Sequence, residues 1–320
     1  MARPKKKESW LGGYECEDSD FASHSFDSPD SVIAAVDSAV SAQKAGNPSP
    51  KWCGSWNHDR PEHGDWYGGS KSWDDMKSIA RSGWPEGVAV VAKLRARADA
   101  IIERIRGKCE GVAYDVSGQW LDVGRHLSGE PEAFGSFVQM DCGAGQSKVV
   151  RVDVNLAVSG GVSSGAFLAR GAAACALCDM IESSGRRCEI YAVSSSVCKR
   201  PVGRAKRGLN IRILIKGANE PLDMARVAFA MAHVGFFRRA VVSFMQSIGH
   251  DPNCAIPVPF RYSSLPPEMA DFASSEDAIV VDEMHLAGVE AAGGWERFVS
   301  ECLKKIGVDV EGLFDGVDGR

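Results

Sequence analysis

Residues 148–194 read KVVRVDVNLAVSGGVSSGAFLARGAAACALCDMIESSGRRCEIYAVS, and this stretch decides the fold. From Lys148 to Val158 the residues alternate. Val150, Val152, Val154, Leu156 and Val158 point one way, and Arg151, Asp153, Asn155 and Ala157 point the other. A period of two is the mark of a strand with one buried face. The loop SGGVSSG follows at 159–165, then an alanine-rich run over 164–183 that reads as a long helix closed by Gly185. A second strand is expected at 187–194.

Working outward, strands and helices keep alternating. A strand at 209–216 is joined to the previous one by the basic connection 198–208. Glu220-Pro221 is expected to open a helix reaching about 248, with Leu222, Ala225, Phe229, His233, Phe236, Ala240 and Phe244 as its apolar face. A Pro-rich stretch at 252–267 precedes a last strand at 278–282 and a last helix at 290–306. This order predicts an α/β layered domain, von Willebrand A-like or Rossmann-like, over 148–307, with a tail at 308–320.

Upstream the composition changes twice. Arg3, Lys5, Lys6 and Lys7 are followed by eight acidic residues and no lysine or arginine over 8–37. Residues 1–50 therefore read as a flexible acidic arm with a basic N-terminus and one short helix at 31–43. Five of the eight tryptophans, from Trp52 to Trp84, fall within 33 positions, which marks 51–147 as an ordered, Trp-rich α+β region packed onto the α/β domain. Ser72 before WDDM is a helix N-cap, and that helix ends near Gly83. A further helix over 86–106 buries Val91, Leu94, Ala98, Ile101 and Ile105. Short strands punctuated by Ser117-Gly118 and Ser128-Gly129 fill 113–139.

The chain has 320 residues, 44% hydrophobic and 25% charged, with a net charge of −5. That balance builds a sizeable core and argues against a globally basic nucleic-acid binder. No stretch approaches ~18 consecutive apolar residues, so no membrane partner is expected. MARPKKKESW has no apolar run behind its charges, so no signal peptide is expected. The ten cysteines accordingly read as reduced core residues rather than a disulfide framework.

Candidate chemistry is sparse. Ser159, Gly160, Gly161, Ser163 and Ser164 lie between a strand and a helix N-terminus and form a candidate anion site. The alternative reading is a tight turn with Ser163 or Ser164 as N-cap. Neither a lysine-bearing phosphate loop nor a dinucleotide fingerprint is present. Lys199, Arg200, Arg204, Lys206 and Arg207 form a candidate nucleic-acid-binding finger, against the alternative of a solvated loop. Cys53, His58 and His63 are of metal-ligand type but lack a fourth ligand, and Cys175-x₂-Cys178 lies within one helix, so no metal and no cofactor are assigned. His233 reads as a satisfied core histidine, and Asp282-Glu283 as a solvated strand end. No nucleophilic triad can be argued, and no catalytic residue is assigned.

Two passages carry a resemblance. Gly83, Trp84 and Gly87 match a G-W-x-x-G segment. Asp122, Val123, Gly124, Gly129, Glu130, Pro131 and Glu132 match a D-V-G-x₄-G-E-P-E segment. With the passages around 154–193 and 231–244, they resemble an uncharacterised family of bacteriophage proteins over residues 52–305. The resemblance implies a viral or prophage origin and a host-cytoplasmic setting. The second half also resembles the von Willebrand factor A layout, whose members hold a divalent metal through Asp-x-Ser-x-Ser. Here Asp153 is followed by Asn155 and Ala157, so the metal site is not carried over. The expected function is a non-enzymatic protein that binds or scaffolds a macromolecule, a protein being the first partner. The alternatives are a nucleic-acid-binding accessory factor in phage replication or transcription, and an enzyme acting on a phosphorylated small molecule.

Overall fold

The structure, a computed structural model, describes residues 19–45, 60–61, 65–92, 101, 103, 110–139, 149–157, 163–183, 185–198, 206–248, 255–257, 278–281, 294–305 and 310–311. The elements run β1 (Ser19–Phe26), α1 (Pro29–Lys44), α2 (Trp73–Ser82), α3 (85–92), β2 (Glu110–Asp115), β3 (Trp120–Leu121), α4 (Val123–Leu127), β4 (Phe134–Gln139) and β5 (Val149–Asn155). They continue with α5 (Ser164–Ser183), β6 (Arg187–Cys198), β7 (Lys206–Lys216), α6 (Met224–Ala232), a π-helical turn (Phe236–Val241), α7 (Val242–Ser247), β8 (Ala255–Pro257), β9 (Ile279–Val281) and α8 (Gly294–Lys305). The α/β layering expected from residues 148–307 is what the chain adopts.

The large sheet has the order β1-β7-β6-β5-β9, with β8 added to β6. β5 is parallel to both β6 and β9, β7 is antiparallel to β6, and β1 is parallel to β7. Pleating sorts the side chains onto two unlike faces. Val150, Val152 and Val154, Cys188, Ile190 and Ala192, and Leu209, Ile211 and Ile213 face one way, and all belong to the single core cluster. Helices α1, α5, α6, α7 and α8 add residues to that same cluster. Gly171 fixes the closest approach within this layer: a Cβ there would fall 2.4 Å from Cα of Ala232, so only glycine lets α5 and α6 touch backbone to backbone. The opposite face carries Arg151, Asp153 and Asn155, Tyr191 and Ser195, and Asn210 and Arg212. Asp153 and Asn155 are themselves buried, so β5 has two buried faces rather than the one its alternation suggested.

The first correction concerns residues 1–50. Part of this acidic arm is structural: Ser19–Phe26 is an edge strand on β7, and Pro29–Lys44 is a helix whose Val32, Ile33 and Val36 sit in the core. The physical reason is local. Ser28 caps α1 by accepting from the Ser31 amide at 3.2 Å, and Pro29 is pre-set for the first turn. The acidic residues then point outward while a short apolar stripe points in. Trp73 of α2 ties to this helix by donating Nε1–H to Asp37 at 2.7 Å.

The second correction concerns the helix expected from 220 to 248. It begins at Met224, because the Asp223 carboxylate accepts from the Ala225 and Arg226 amides at 3.0 and 3.2 Å. It breaks at His233, whose backbone is extended, and resumes as the π-helical turn and α7 at 61° to α6. A π turn widens the spiral by one residue and shifts the side chains that follow. Helix α5 is long and apolar enough to cross a membrane by length and composition, yet twelve of its residues are buried in this core.

A second, three-stranded sheet has the order β2-β4-β3, and none of its described residues belongs to the core cluster.

Candidate functional site

Two regions stand apart from the hydrophobic core cluster. The first is the small sheet. Val112 pairs with Phe137, and Tyr114 with Gly135, which also faces Trp120. Paired residues of antiparallel strands share a face, so Val112, Tyr114, Trp120 and Phe137 lie together. Gly135 is needed there: a Cβ would fall 2.4 Å from the Trp120 ring, which instead packs on Phe137 at 4.7 Å. Phe137 is 61% exposed and Leu127, on α4, 80%. With Val112, Val116, Leu121 and Val123, six of the eight large exposed hydrophobic residues among those described fall on this one unit.

The unit is also acidic. Residues 111–139 carry Asp115, Asp122, Glu130 and Glu132 against Arg125. Arg125 is already engaged, bridging Glu130 at 2.6 Å and lying over the Tyr114 ring at 4.2 Å. Asp122 caps α4 by accepting from the Arg125 amide and also accepts from the Tyr114 hydroxyl. These donors hold its carboxyl below the usual carboxylate range. It stays charged at any physiological pH.

The second region is the polar face of the large sheet, where Asp153, Asn155, Ser195 and Asn210 are buried. Arg151 makes a two-pronged bridge to Asp153, 2.9 Å at each contact. The Ser195 hydroxyl and Asn210 Oδ1 are 2.7 Å apart, and Asn155 Oδ1 accepts from the Ala157 amide at 3.0 Å. Tyr191 lies between two guanidinium groups, Arg212 at 3.7 Å from its ring centre and Arg151 at 5.0 Å. Burial, with Glu189 beside it, raises the Tyr191 phenol above its ordinary range, and Arg212 opposes that rise. At one end Lys216 is buried, bridging Glu182 at 2.6 Å and donating to the Cys188 carbonyl at 2.8 Å.

The residues expected to bind anions divide. Ser159, Gly160 and Gly161 lie outside the described residues. Ser163 accepts from the Ala166 amide at 3.1 Å, so it caps α5, and the Ser164 hydroxyl donates to the Asp65 carboxylate. A carboxylate thus already stands at this helix N-terminus, where the dipole favours negative charge. Of the basic finger, Lys199, Arg200 and Arg204 lie outside the described residues. Lys206 and Arg207 belong to β7, opposite Ser19 and Asp20 of β1. Pairing with β1 extends β7 and shortens the connection from 198–208 to 199–205. The Cys53, His58 and His63 set also lies outside the described residues. Among the described residues, no cluster of three or more His, Cys, Asp or Glu side chains could hold a metal. Cys175, Cys178, Cys188 and Cys302 are free and buried.

One arrangement had no clear sequence signal. Arg238 and Arg239, in the π-helical turn, are buried and reach back to the turn at 65–70. Arg239 donates to the Ser70 hydroxyl, the Ser70 carbonyl and the Arg60 carbonyl, and lies 3.9 Å from the Tyr67 ring centre. Arg238 donates to the Trp66 carbonyl at 2.9 Å and covers the Trp66 ring at 3.8 Å. This is how the Trp-rich segment is held onto the α/β layer. His233 sits beside this contact, against Trp84 and Phe229. Its Nδ1 accepts from the Gly235 amide at 3.1 Å, while its buried Nε2 has no hydrogen-bond partner.

The class so defined is a mixed α/β protein with a helix-covered sheet and a small acidic sheet standing off its core. The chain belongs to the family of the domain of unknown function DUF7192, whose model matches residues 17–310. No curated protein matches the chain. No solved structure matches it either.

Proposed function

We propose that this chain is a non-enzymatic docking protein of phage type. In this reading it works in the host cytoplasm and binds a partner protein through its three-stranded sheet. The observation that carries the reading is the concentration of exposed apolar side chains, Phe137 and Leu127 foremost, on a unit whose described residues add none to the core cluster. Exposed apolar side chains concentrated on one unit are unfavourable in water and become favourable when a partner covers them. The surplus of Asp115, Asp122 and Glu132 specifies the partner's chemistry: an apolar patch bordered by lysine or arginine. The phage attribution rests on the G-W-x-x-G and D-V-G-x₄-G-E-P-E resemblance. The strand order β7-β6-β5-β9, with β7 antiparallel, supports a von Willebrand A-like layout for the large sheet, which then acts as the scaffold.

The test is affinity isolation from nuclease-treated extracts of infected cells. Wild type is compared with a Phe137→Asp, Leu127→Asp double variant. A defined protein that co-purifies with the wild type, is absent with the variant and dissociates as salt rises supports the reading. Retention by the variant overturns it. Loss of the partner on nuclease treatment alone favours the nucleic-acid alternative instead.

A further inference from the structure

The connection between β3 and β4, residues 122–133, folds back on itself. The Asp122 amide donates to the Ala133 carbonyl at 2.8 Å, and the Glu130 amide donates to the Arg125 carbonyl at 3.1 Å. One short loop therefore carries exposed carboxylates and exposed apolar side chains together. Glu130 and Glu132 are exposed, and so are Val123 at 59% and Leu127 at 80%. Asp115 and Phe137 carry the same mixture onto the strands, where both are exposed. Residues 111–139 hold four carboxylates and a single arginine, Arg125, which is already spent on Glu130 and the Tyr114 ring. The complement of such a patch is a short segment with several cations next to a large apolar side chain.

The chain itself contains one. Residues 3–11 read RPKKKESWL and lie outside the described residues. Arg3, Lys5, Lys6 and Lys7 supply the cations against Glu8 alone, and Trp10 and Leu11 follow three and four positions after Lys7. The segment is joined to β1 at Ser19. An extended chain gains about 3.5 Å per residue, so Trp10 can stand up to about 30 Å from the start of β1 and Lys5 up to about 50 Å. A chain of this length folds with a radius of gyration of about 20 Å. A tether this short also gives an effective concentration in the millimolar range, so a contact too weak to hold two separate molecules is populated within one.

We propose that residues 3–11 dock on the small sheet of their own chain, as a built-in competitor that a partner protein displaces. Lys5, Lys6 and Lys7 meet Asp115, Glu130 and Glu132, and Trp10 and Leu11 cover part of the apolar surface around Leu127 and Phe137. This regulation rests on the docking reading of that sheet, and it gives the basic end of the chain a role other than holding nucleic acid.

The test is carbodiimide cross-linking of the free, full-length chain, which joins a lysine amine to a carboxylate in direct contact, read by peptide mass spectrometry. An equal mixture of unlabelled and nitrogen-15-labelled chain separates links within a molecule from links between molecules. Links from Lys5–Lys7 to Asp115, Glu130 or Glu132, within one molecule, are expected as the main class. They should fall at least about fivefold in 1 M salt, where the screening length is about 3 Å. A Trp10→Ser, Leu11→Ser variant should lose at least about threefold, because its charges are intact and its apolar anchor is gone. Four results overturn the proposal: no links to these carboxylates, links mainly to another acidic stretch such as 268–290, links mainly between unlike isotopes, or yields indifferent to both salt and the variant. Absence of the links in a chain that still captures a partner through Phe137 and Leu127 removes this proposal alone. Links in a chain whose partner is retained by the Phe137→Asp, Leu127→Asp variant remove the docking reading and leave the contact standing.

Discussion

Arg239 and Ser70, 169 positions apart, are joined twice: the guanidinium donates at 2.9 Å to the Ser70 hydroxyl and at 2.7 Å to the Ser70 carbonyl. Both residues are fully buried. The pair closes the seam between the tryptophan-rich turn and the π-helical turn, so the stability of one is tied to the other.

Truncating Arg239 to alanine strands the Ser70 carbonyl and hydroxyl in a dry interior, removes the donor of the part-buried Arg60 carbonyl and leaves a void against Tyr67. A loss of about 3 kcal/mol is expected, against about 0.5 kcal/mol or less for Lys304→Ala on the exposed end of α8. Urea unfolding checks this as a fall in midpoint at constant slope. An Arg239→Ala midpoint like that of Lys304→Ala would show that the seam is not a stabilising contact.

His233 predicts an acid-side weakness. Burial, against smaller opposing effects from Asp75 and Glu86, lowers its pKa from the ordinary 6.5 to about 4. Between these values the unfolded chain binds a proton that the folded chain refuses. The stability is therefore intact above 6.5 and is lost as pH falls through 4, by about 3 kcal/mol in total. Denaturant unfolding at a series of pH values should show this slope in the wild type and not in His233→Gln. Equal slopes in both would assign the acid loss to other groups.

The buried thiols should be silent in the native protein. Cys178 and Cys188 hydrogen-bond one another, and that contact together with burial keeps the Cys178 thiol protonated. Burial pushes Cys302 up to about 12. Because the thiolate is the reactive form, labelling of Cys175, Cys178, Cys188 and Cys302 by a thiol reagent should follow only unfolding. Peptide mapping after brief native labelling reads this directly. Rapid modification of Cys178 or Cys188 would contradict the packing described.

Much of the fold is legible in Val150, Val152 and Val154, whose alternation places them on the core face, and in the alanine-rich run that becomes α5. β1 is not legible. Its residues SDFASHSF are mostly polar or small, and their two phenylalanines, Phe21 and Phe26, stand five positions apart and so give no alternating apolar face; they form a strand because β7 offers an edge, a relation that only the folded register supplies. The dense acidic charge around α1 likewise conceals a stripe of three apolar residues. Arg212 is readable as a strand residue, but Tyr191 lies 21 positions earlier and meets it only through the antiparallel register of β6 and β7. The exposure of Phe137 and Leu127 is illegible for the same reason: apolar residues at strand and helix spacing look like core until the fold shows that, among the described residues, their sheet adds none to the core cluster.

The central claim is that the small sheet is the docking surface, and hydrogen exchange on the purified complex tests it most directly. Amides in Val112–Phe137 should become protected when the co-purified partner is bound, while those of the large sheet change little. Protection confined to 199–207 or to the large sheet, with Val112–Phe137 exchanging as in the free chain, would contradict it.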